Sequence, residues 1–532
     1  MKSATSEQST SSSSSASAST SRRKAVDGDT PASHSDENAS KRLKVDTATQ
    51  DKAEGPSSQM KLAPIFNRIG AAAKASAATP SASSTQLRWL PSFGPQSTCH
   101  VGIYGDALPP PTKTKLKAAI FDLDGTLVVP KSGKTHPERS NEYDFKFLFS
   151  QHTLKQVQDE HRLHGRTVII VTNQGYFKPG MGREGGFETW KKKQALIGQA
   201  LDVPHVVLVA TGEDRFRKPA IGMWDAFWSV ALNQLHVVKP GSATDAQAET
   251  EAGPSSSRPR RLPGGRKPKA PEGAPLPEVR ITDIEREHFD AAQSFYVGDA
   301  AGRAGDHSDV DRKWAGNVGV AFFTPEQYFT EKKKDPPFKL SGWAPKRESD
   351  ASSRLPLFSP TNTPLVPATE EERDDLILFV GPPGAGKTEF FKRYLQPFGY
   401  EWVNQDTLRT YDACKRAVRT HLEAGKGCVV DNTNRNKKTR KGYIELAQEL
   451  GRQVRCFYFD IEQQRSFHNN AFRANSGLES GRSMIPPFAI QSYFKERELP
   501  TRDEGFSEEP KTISWQFVDT DEETTRRYYM WY

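Results

Sequence analysis

Apolar residues in this chain fall into short unbroken runs separated by stretches of helical period. The runs are Ala118-Ala119-Ile120-Phe121, Thr167-Val168-Ile169-Ile170-Val171, Val206-Val207-Leu208-Val209 and Ser294-Phe295-Tyr296-Val297, followed by Leu376-Ile377-Leu378-Phe379-Val380 and Val429-Val430. A strand with one wet face alternates apolar and polar positions, whereas an unbroken run needs both faces covered, as in a parallel sheet flanked by helices. The expected fold class is α/β, with two parallel-sheet domains. No internal repeat is visible.

Polar stretches divide the chain. Residues 1–85 are rich in Ser, Ala, Thr and charge, cannot bury enough surface to offset chain entropy, and are expected to be a disordered tail. Residues 86–335 are expected to form the first domain, interrupted at 240–276 by a disordered Pro-, Gly- and Arg-rich insertion. Residues 336–370 read as a linker and 371–532 as the second domain. Within the tail, Arg22-Arg23-Lys24 and Lys41-Arg42-Leu43-Lys44 have the form of a two-part nuclear import signal, so a nuclear protein is expected; the plainer reading is solubilising charge. Gln59, Leu62, Ile65 and Phe66 are spaced as in sliding-clamp docking peptides, but Ile65 stands where the first aromatic belongs, and chance explains the match better. The insertion carries Arg258, Arg260, Arg261, Arg266, Lys267 and Lys269, which either touch a nucleic-acid backbone or are simply solvated.

Composition sharpens this picture. Only 35% of the 532 residues are hydrophobic and the mean hydropathy is -0.70, low for a chain folded throughout. A formal charge of +8 and a pI near 9.0 favour a polyanionic partner. The four cysteines show neither metal-site nor disulfide spacing, and no apolar stretch reaches membrane-span length.

Two sets of residues carry chemistry. Asp122 and Asp124, in Asp122-Leu123-Asp124-Gly125-Thr126, stand where a strand ends and can aim at one pocket. Asp122 can attack phosphorus while Asp124 protonates the leaving oxygen and later deprotonates water. Thr172 and Asn173 end the next strand and can hydrogen-bond phosphoryl oxygens, and Lys218 can neutralise charge on Asp122 and the phosphate. Asp299 can share Mg²⁺ with Asp122 and the main chain of Asp124. A further acid should follow, with Asp306, Asp309 and Asp311 in competition and Asp311 preferred.

The second set is Gly381-Pro382-Pro383-Gly384-Ala385-Gly386-Lys387-Thr388, a phosphate-cradling loop between a strand and a helix. Backbone N–H groups from Gly384 through Ala385 and Gly386 to Lys387 face the phosphates, Lys387 spans the outer two, and Thr388 holds Mg²⁺. Asp406 is placed to accept a hydroxyl proton, with Arg409 one helical turn on to hold an acceptor's phosphate; the plainer alternative is a helix-capping Asp. Asp431 reads as an acid behind the Mg²⁺. Arg465 and Arg473 are candidates for a lid over the transferring phosphate.

In order and context, the first set resembles the haloacid dehalogenase-like phosphatases, a Rossmannoid fold. With the loop, Asn404-Gln405-Asp406, Asp431-Asn432-Thr433-Asn434 and His468-Asn469-Asn470-x-Phe472-Arg473, residues 86–532 resemble the eukaryotic polynucleotide kinase 3′-phosphatases. The resemblance implies removal of 3′-phosphate from DNA breaks and ATP-dependent phosphorylation of 5′-hydroxyl ends, so that a ligase can seal the nick. It implies Asp122 as nucleophile, Asp124 as general acid/base, Lys387 and Thr388 on ATP and Mg²⁺, Asp406 as activator of the 5′-hydroxyl, and Arg473 as the lid arginine. Animal members begin with a forkhead-associated domain; here the tail occupies that position, so recruitment through phosphoprotein binding is not expected. Partners implied are DNA ends and repair scaffold or ligase proteins, with the chain a monomer off the membrane. RNA-end healing or small-molecule chemistry with the same modules is the alternative.

Overall fold

The unbroken apolar runs become the centres of two sheets. The computed structural model describes residues 86–108, 114–237, 281–330, 332, 334, 336–344, 356–478, 483–514 and 521–532. The tail at 1–85, with its basic clusters and the docking-like stretch at 59–66, and the insertion at 240–276 lie outside the described residues.

The first sheet has seven strands in the order Leu87–Trp89, Cys99–Tyr104, His205–Ala210, Thr167–Asn173, Ala118–Phe121, Phe295–Val297, Ala321–Phe323. The last five are mutually parallel. The first two add an antiparallel edge that the sequence pattern missed, because His100 and Gly102 break the run in Cys99–Tyr104. Alternation sends Ile120, Ile169, Val171 and Leu208 into a core with Trp224, Trp228 and Trp314. Phe121, Val168, Ile170 and Val209 enter a second core on the opposite face.

The second sheet has the order Phe358–Ser359, Lys511–Ile513, Val454–Phe459, Leu376–Val380, Cys428–Val430, Glu401–Val403 and is parallel apart from its first strand. Leu376, Leu378 and Val380 pack on one face, Ile377 and Phe379 on the other. In both sheets the parallel strands run in step. Residues following Phe121, Val171 and Val297 therefore emerge at one edge, as do those following Val380, Val403 and Val430.

Two boundaries differ from the sequence expectation. Phe358–Ser359, inside the stretch read as a linker, is an edge strand of the second sheet; a two-residue strand among Pro and Ser leaves no periodic trace. The chain's last residues, read as second domain, pack on the first. Met530 is buried in the first sheet's core with Tyr532 against it, and Asn317 both accepts from the Trp531 N–H (2.7 Å) and donates to its carbonyl (2.8 Å). Both modules lie within one compact unit, Thr79–Tyr532. The four cysteines are free and buried. Among the described residues no helix is long and apolar enough to cross a membrane.

Candidate active sites

At the first sheet's edge the main chain turns sharply after Asp122. Gly125 adopts φ +83°, and a Cβ there would collide with the Asp299 carboxylate, so this turn both requires positive φ and admits no side chain. Lys218 reaches in from the loop after His205–Ala210. Its Nζ donates to Asp122 Oδ1 (2.6 Å), Asp311 Oδ1 (2.8 Å), the Tyr296 hydroxyl (2.9 Å) and the Val171 carbonyl (2.9 Å). Tyr296 in turn donates to Asp311 Oδ1 (2.9 Å), and the Ala300 N–H donates to Asp311 Oδ2 (3.0 Å).

The charges are closely coupled. Burial pushes the Asp122 carboxyl well above the usual carboxylate range, with Lys218 pulling against it. Burial alone would lower Lys218, but Asp122 and Asp311 overcome it and hold the ammonium above its ordinary value. Asp299 is pushed up to about 6, chiefly by burial and then by Asp311.

Asp122, Asp299 and Asp311 bring carboxylate oxygens within 4.8 Å of one another. Three carboxylates against one ammonium leave a net negative, all-oxygen donor set, which fits a hard divalent cation such as Mg²⁺. The rival acids are engaged elsewhere: Asp306 accepts from Ala301, Arg303 N and Arg303 Nε, and Asp309 from Ser341 and Lys313. The sequence expectation gave the main chain of Asp124, not its side chain, to the cation, and the Asp124 carboxylate lies outside this cluster. It keeps solvent contact and accepts from Gln174 Nε2 (2.6 Å). Crowding by protein raises its pKa, while Gln174, Lys193 and His136 oppose the rise.

Gln174 escaped the sequence reading. The same amide donates to Thr172 Oγ1 (3.0 Å), tying that buried hydroxyl to Asp124; the signal was its place one residue past the strand end. Asn173 is corrected. Its Oδ1 accepts from the Lys218 N–H (2.9 Å) and its Nδ2 donates to the Lys218 carbonyl (3.3 Å), so the amide fixes the lysine's main chain instead of facing a phosphoryl group. Thr126 Oγ1 is buried without a partner among the described residues.

At the second sheet's edge, Gly384 and Gly386 take φ +77° and +83° through the loop into the helix Lys387–Tyr394. A Cβ on Gly381 would meet Phe459 at 2.8 Å. The helix Gln463–Asn475 braces the loop: Ser466 donates to the Pro383 carbonyl (2.6 Å) and Asn469 to that of Gly384 (2.8 Å). Lys387 folds over the loop onto the carbonyls of Gly381 (3.1 Å) and Pro382 (2.9 Å). Burial lowers its pKa against the pull of Asp431 and Asp406. Thr388 donates to Asp431 Oδ2 (2.6 Å), which also accepts from the Trp402 indole (3.1 Å). A positive-φ turn leading into a helix N-terminus, a buried lysine and a hydroxyl beside an acid fit a nucleotide triphosphate with Mg²⁺.

Asp406 stands exposed on the short helix Gln405–Leu408. The cap is Asn404, whose Oδ1 accepts from the Asp406 N–H (2.9 Å) and Thr407 N–H (3.3 Å), so the capping reading of Asp406 falls. Arg409 is corrected as well: it ends that helix at φ +74° and does not continue the face that carries Asp406. Arg473 lies half-buried on Gln463–Asn475. Arg465, one alternative for the lid, sits over the Trp343 ring (5.5 Å to its centroid) with its Nε buried, which commits it to packing.

The family profile described as Polynucleotide kinase 3 phosphatase matches residues 117–243 and 266–329, and that described as AAA domain matches 376–487. A bifunctional polynucleotide phosphatase/kinase of Schizosaccharomyces pombe is 30% identical over 400 residues, covering 74% of this chain and 79% of that protein. A putative bifunctional polynucleotide phosphatase/kinase of Acanthamoeba polyphaga mimivirus is 27% identical over 432 residues, covering 76% of this chain and 85% of that protein.

Proposed function

This chain belongs to the bifunctional polynucleotide phosphatase/kinase family, and on that premise we propose that it prepares DNA strand breaks for ligation, removing 3′-phosphate and phosphorylating 5′-hydroxyl ends with ATP. The observation that carries the reading is the pair of sites itself: a buried carboxylate cluster clamped by Lys218 on one sheet, and a phosphate-cradling loop backed by Asp431 on the other.

In the phosphatase site Asp122 attacks phosphorus and takes the phosphoryl group as an aspartyl phosphate. Asp124, exposed at the mouth with a raised pKa, donates a proton to the departing 3′-oxygen and then accepts one from the water that releases phosphate. Lys218 pulls the Asp122 carboxyl toward its ionised form, against burial, and offsets charge gathered on the phosphoryl oxygens. Asp122, Asp299 and Asp311 would hold Mg²⁺, which supplies charge neutralisation between carboxylates and phosphate.

In the kinase site the turn through Gly384, Ala385 and Gly386 binds the ATP phosphates through its N–H groups, and Lys387 swings from the loop carbonyls to the outer phosphates. Thr388, beside Asp431, would hold the second Mg²⁺. Asp406 accepts the 5′-hydroxyl proton and Arg473 covers the transferring group. Nuclear action and recruitment by a repair scaffold or ligase complete the proposal.

The test is a duplex with one nick bearing 3′-phosphate and 5′-hydroxyl, incubated with ATP and Mg²⁺. Conversion of both ends is expected; a chain that leaves either end unchanged overturns the reading.

A further inference from the structure

Beside the phosphatase mouth two arginines converge on one exposed tyrosine. The guanidinium carbon of Arg139 lies 3.2 Å from the centre of the Tyr176 ring and that of Arg183 lies 4.1 Å from it. Their separation therefore cannot exceed those two distances together. Arg183 also donates to the Tyr176 carbonyl (2.9 Å). These residues, with Ser140, Gly182 and Thr189, line a cavity of about 310 Å³.

Two like charges held this close are unfavourable unless something answers them. Nearby Arg217, beside Gly175, has a carboxylate partner in Glu213. Among the described residues neither Arg139 nor Arg183 has one. Cation–π attraction to Tyr176 offsets part of the repulsion, about 0.5–1 kcal/mol per contact at an exposed site, but leaves both forks with donors for an anion.

The place of the cluster identifies that anion. Tyr176 is two residues past Gln174, which holds Asp124, so the two α-carbons lie within about 7 Å. His136, three residues before Arg139, also acts on the charge of Asp124. The arginines thus flank the mouth through which a 3′-phosphate must enter. Resting on the phosphatase reading above, we infer that Arg139 and Arg183, spaced by Tyr176, clamp a phosphodiester of the strand just 5′ of the terminal phosphate. The site then selects a polynucleotide end over a free nucleotide, because only a strand has a second phosphate to offer.

The experiment compares 3′-phosphorylated oligonucleotide with thymidine 3′-phosphate, using the full chain. For Arg139→Gln/Arg183→Gln, the ratio of kcat/KM for oligonucleotide to that for thymidine 3′-phosphate is expected to fall about tenfold, mainly through KM for the oligonucleotide. The dependence of log kcat/KM on log salt should become shallower by about 1–2. Arg139→Lys/Arg183→Lys, which keeps charge but loses the fork, should fall between. A ratio and salt slope like those of the unaltered chain would overturn the clamp, as would equal losses on both substrates. Mononucleotide hydrolysis without oligonucleotide preference in the unaltered chain removes the clamp and leaves the phosphatase standing; hydrolysis of neither removes both.

Discussion

Lys218 Nζ lies 2.6 Å from Asp122 Oδ1, and both side chains are nearly sealed from solvent. The ammonium also meets Asp311 at 2.8 Å, so one cation holds the proposed nucleophile and a proposed metal ligand in register.

Replacing that cation leaves two buried carboxylates unanswered. Lys218→Met is expected to cost about 3–5 kcal/mol of stability, by chemical denaturation, and to lower dephosphorylation at least about 100-fold. Lys218→Met/Asp311→Asn should recover much of the stability and none of the activity. Recovery of activity would show that Lys218 serves the fold alone.

Gln174 offers a test of the acid role through pH. Its amide donates to the ionised form of Asp124 and so lowers the Asp124 pKa. Removing the donor disfavours the anion and raises the pKa. A group that must be protonated to donate then stays competent to higher pH. In Gln174→Leu the alkaline limb of the kcat profile should move upward, with a lower plateau. Movement toward lower pH would contradict the role of Asp124 as proton donor.

The kinase site should show a split between binding and chemistry. Asp406→Asn is expected to lower kcat for 5′-hydroxyl phosphorylation about 100-fold or more with little change in KM for ATP, because its proposed role is toward the acceptor and not the nucleotide. Steady-state kinetics with ATP varied checks this.

The sequence pattern locates a side chain well where it follows directly from a strand end. Asp122, Asp299, the cradle and Asp431 all sit just beyond unbroken apolar runs, and parallel strands in step bring such positions together. The sequence pattern failed where the main chain leaves its local period. Arg409 was placed on a helical face, yet the helix stops there at φ +74°. Asn173 follows the same strand as Thr172, but its amide is matched to the main chain of Lys218, a contact 45 residues away. Tyr296 is indistinguishable from any core aromatic until its hydroxyl is seen on Asp311.

The chain's last residues form a contact that no local pattern foretold. Arg527 donates through both terminal nitrogens to Asp225 (3.1 Å each) and to the Ser476 carbonyl (2.7 Å) while meeting Glu523, all buried. Arg527→Ala should cost about 3–5 kcal/mol, since it leaves buried Asp225 with Arg215 at 3.4 Å and buried Glu523 with the neutral donors of Thr282. Glu522→Ala, which breaks only the exposed pair with Arg286, should cost less than about 1 kcal/mol. Denaturation midpoints at a common slope measure both, and equal costs would contradict the assigned burial.

The central claim is that two separate pockets on one chain perform opposite phosphate chemistry. Its most direct measurement follows both ends of a nicked duplex with 3′-phosphate and 5′-hydroxyl, using Asp122→Ala and Lys387→Ala chains with ATP and Mg²⁺. The account predicts that Asp122→Ala leaves the 3′-phosphate in place while still phosphorylating the 5′ end, and that Lys387→Ala does the reverse. Loss of both activities in either folded variant, or survival of the targeted activity, would contradict it.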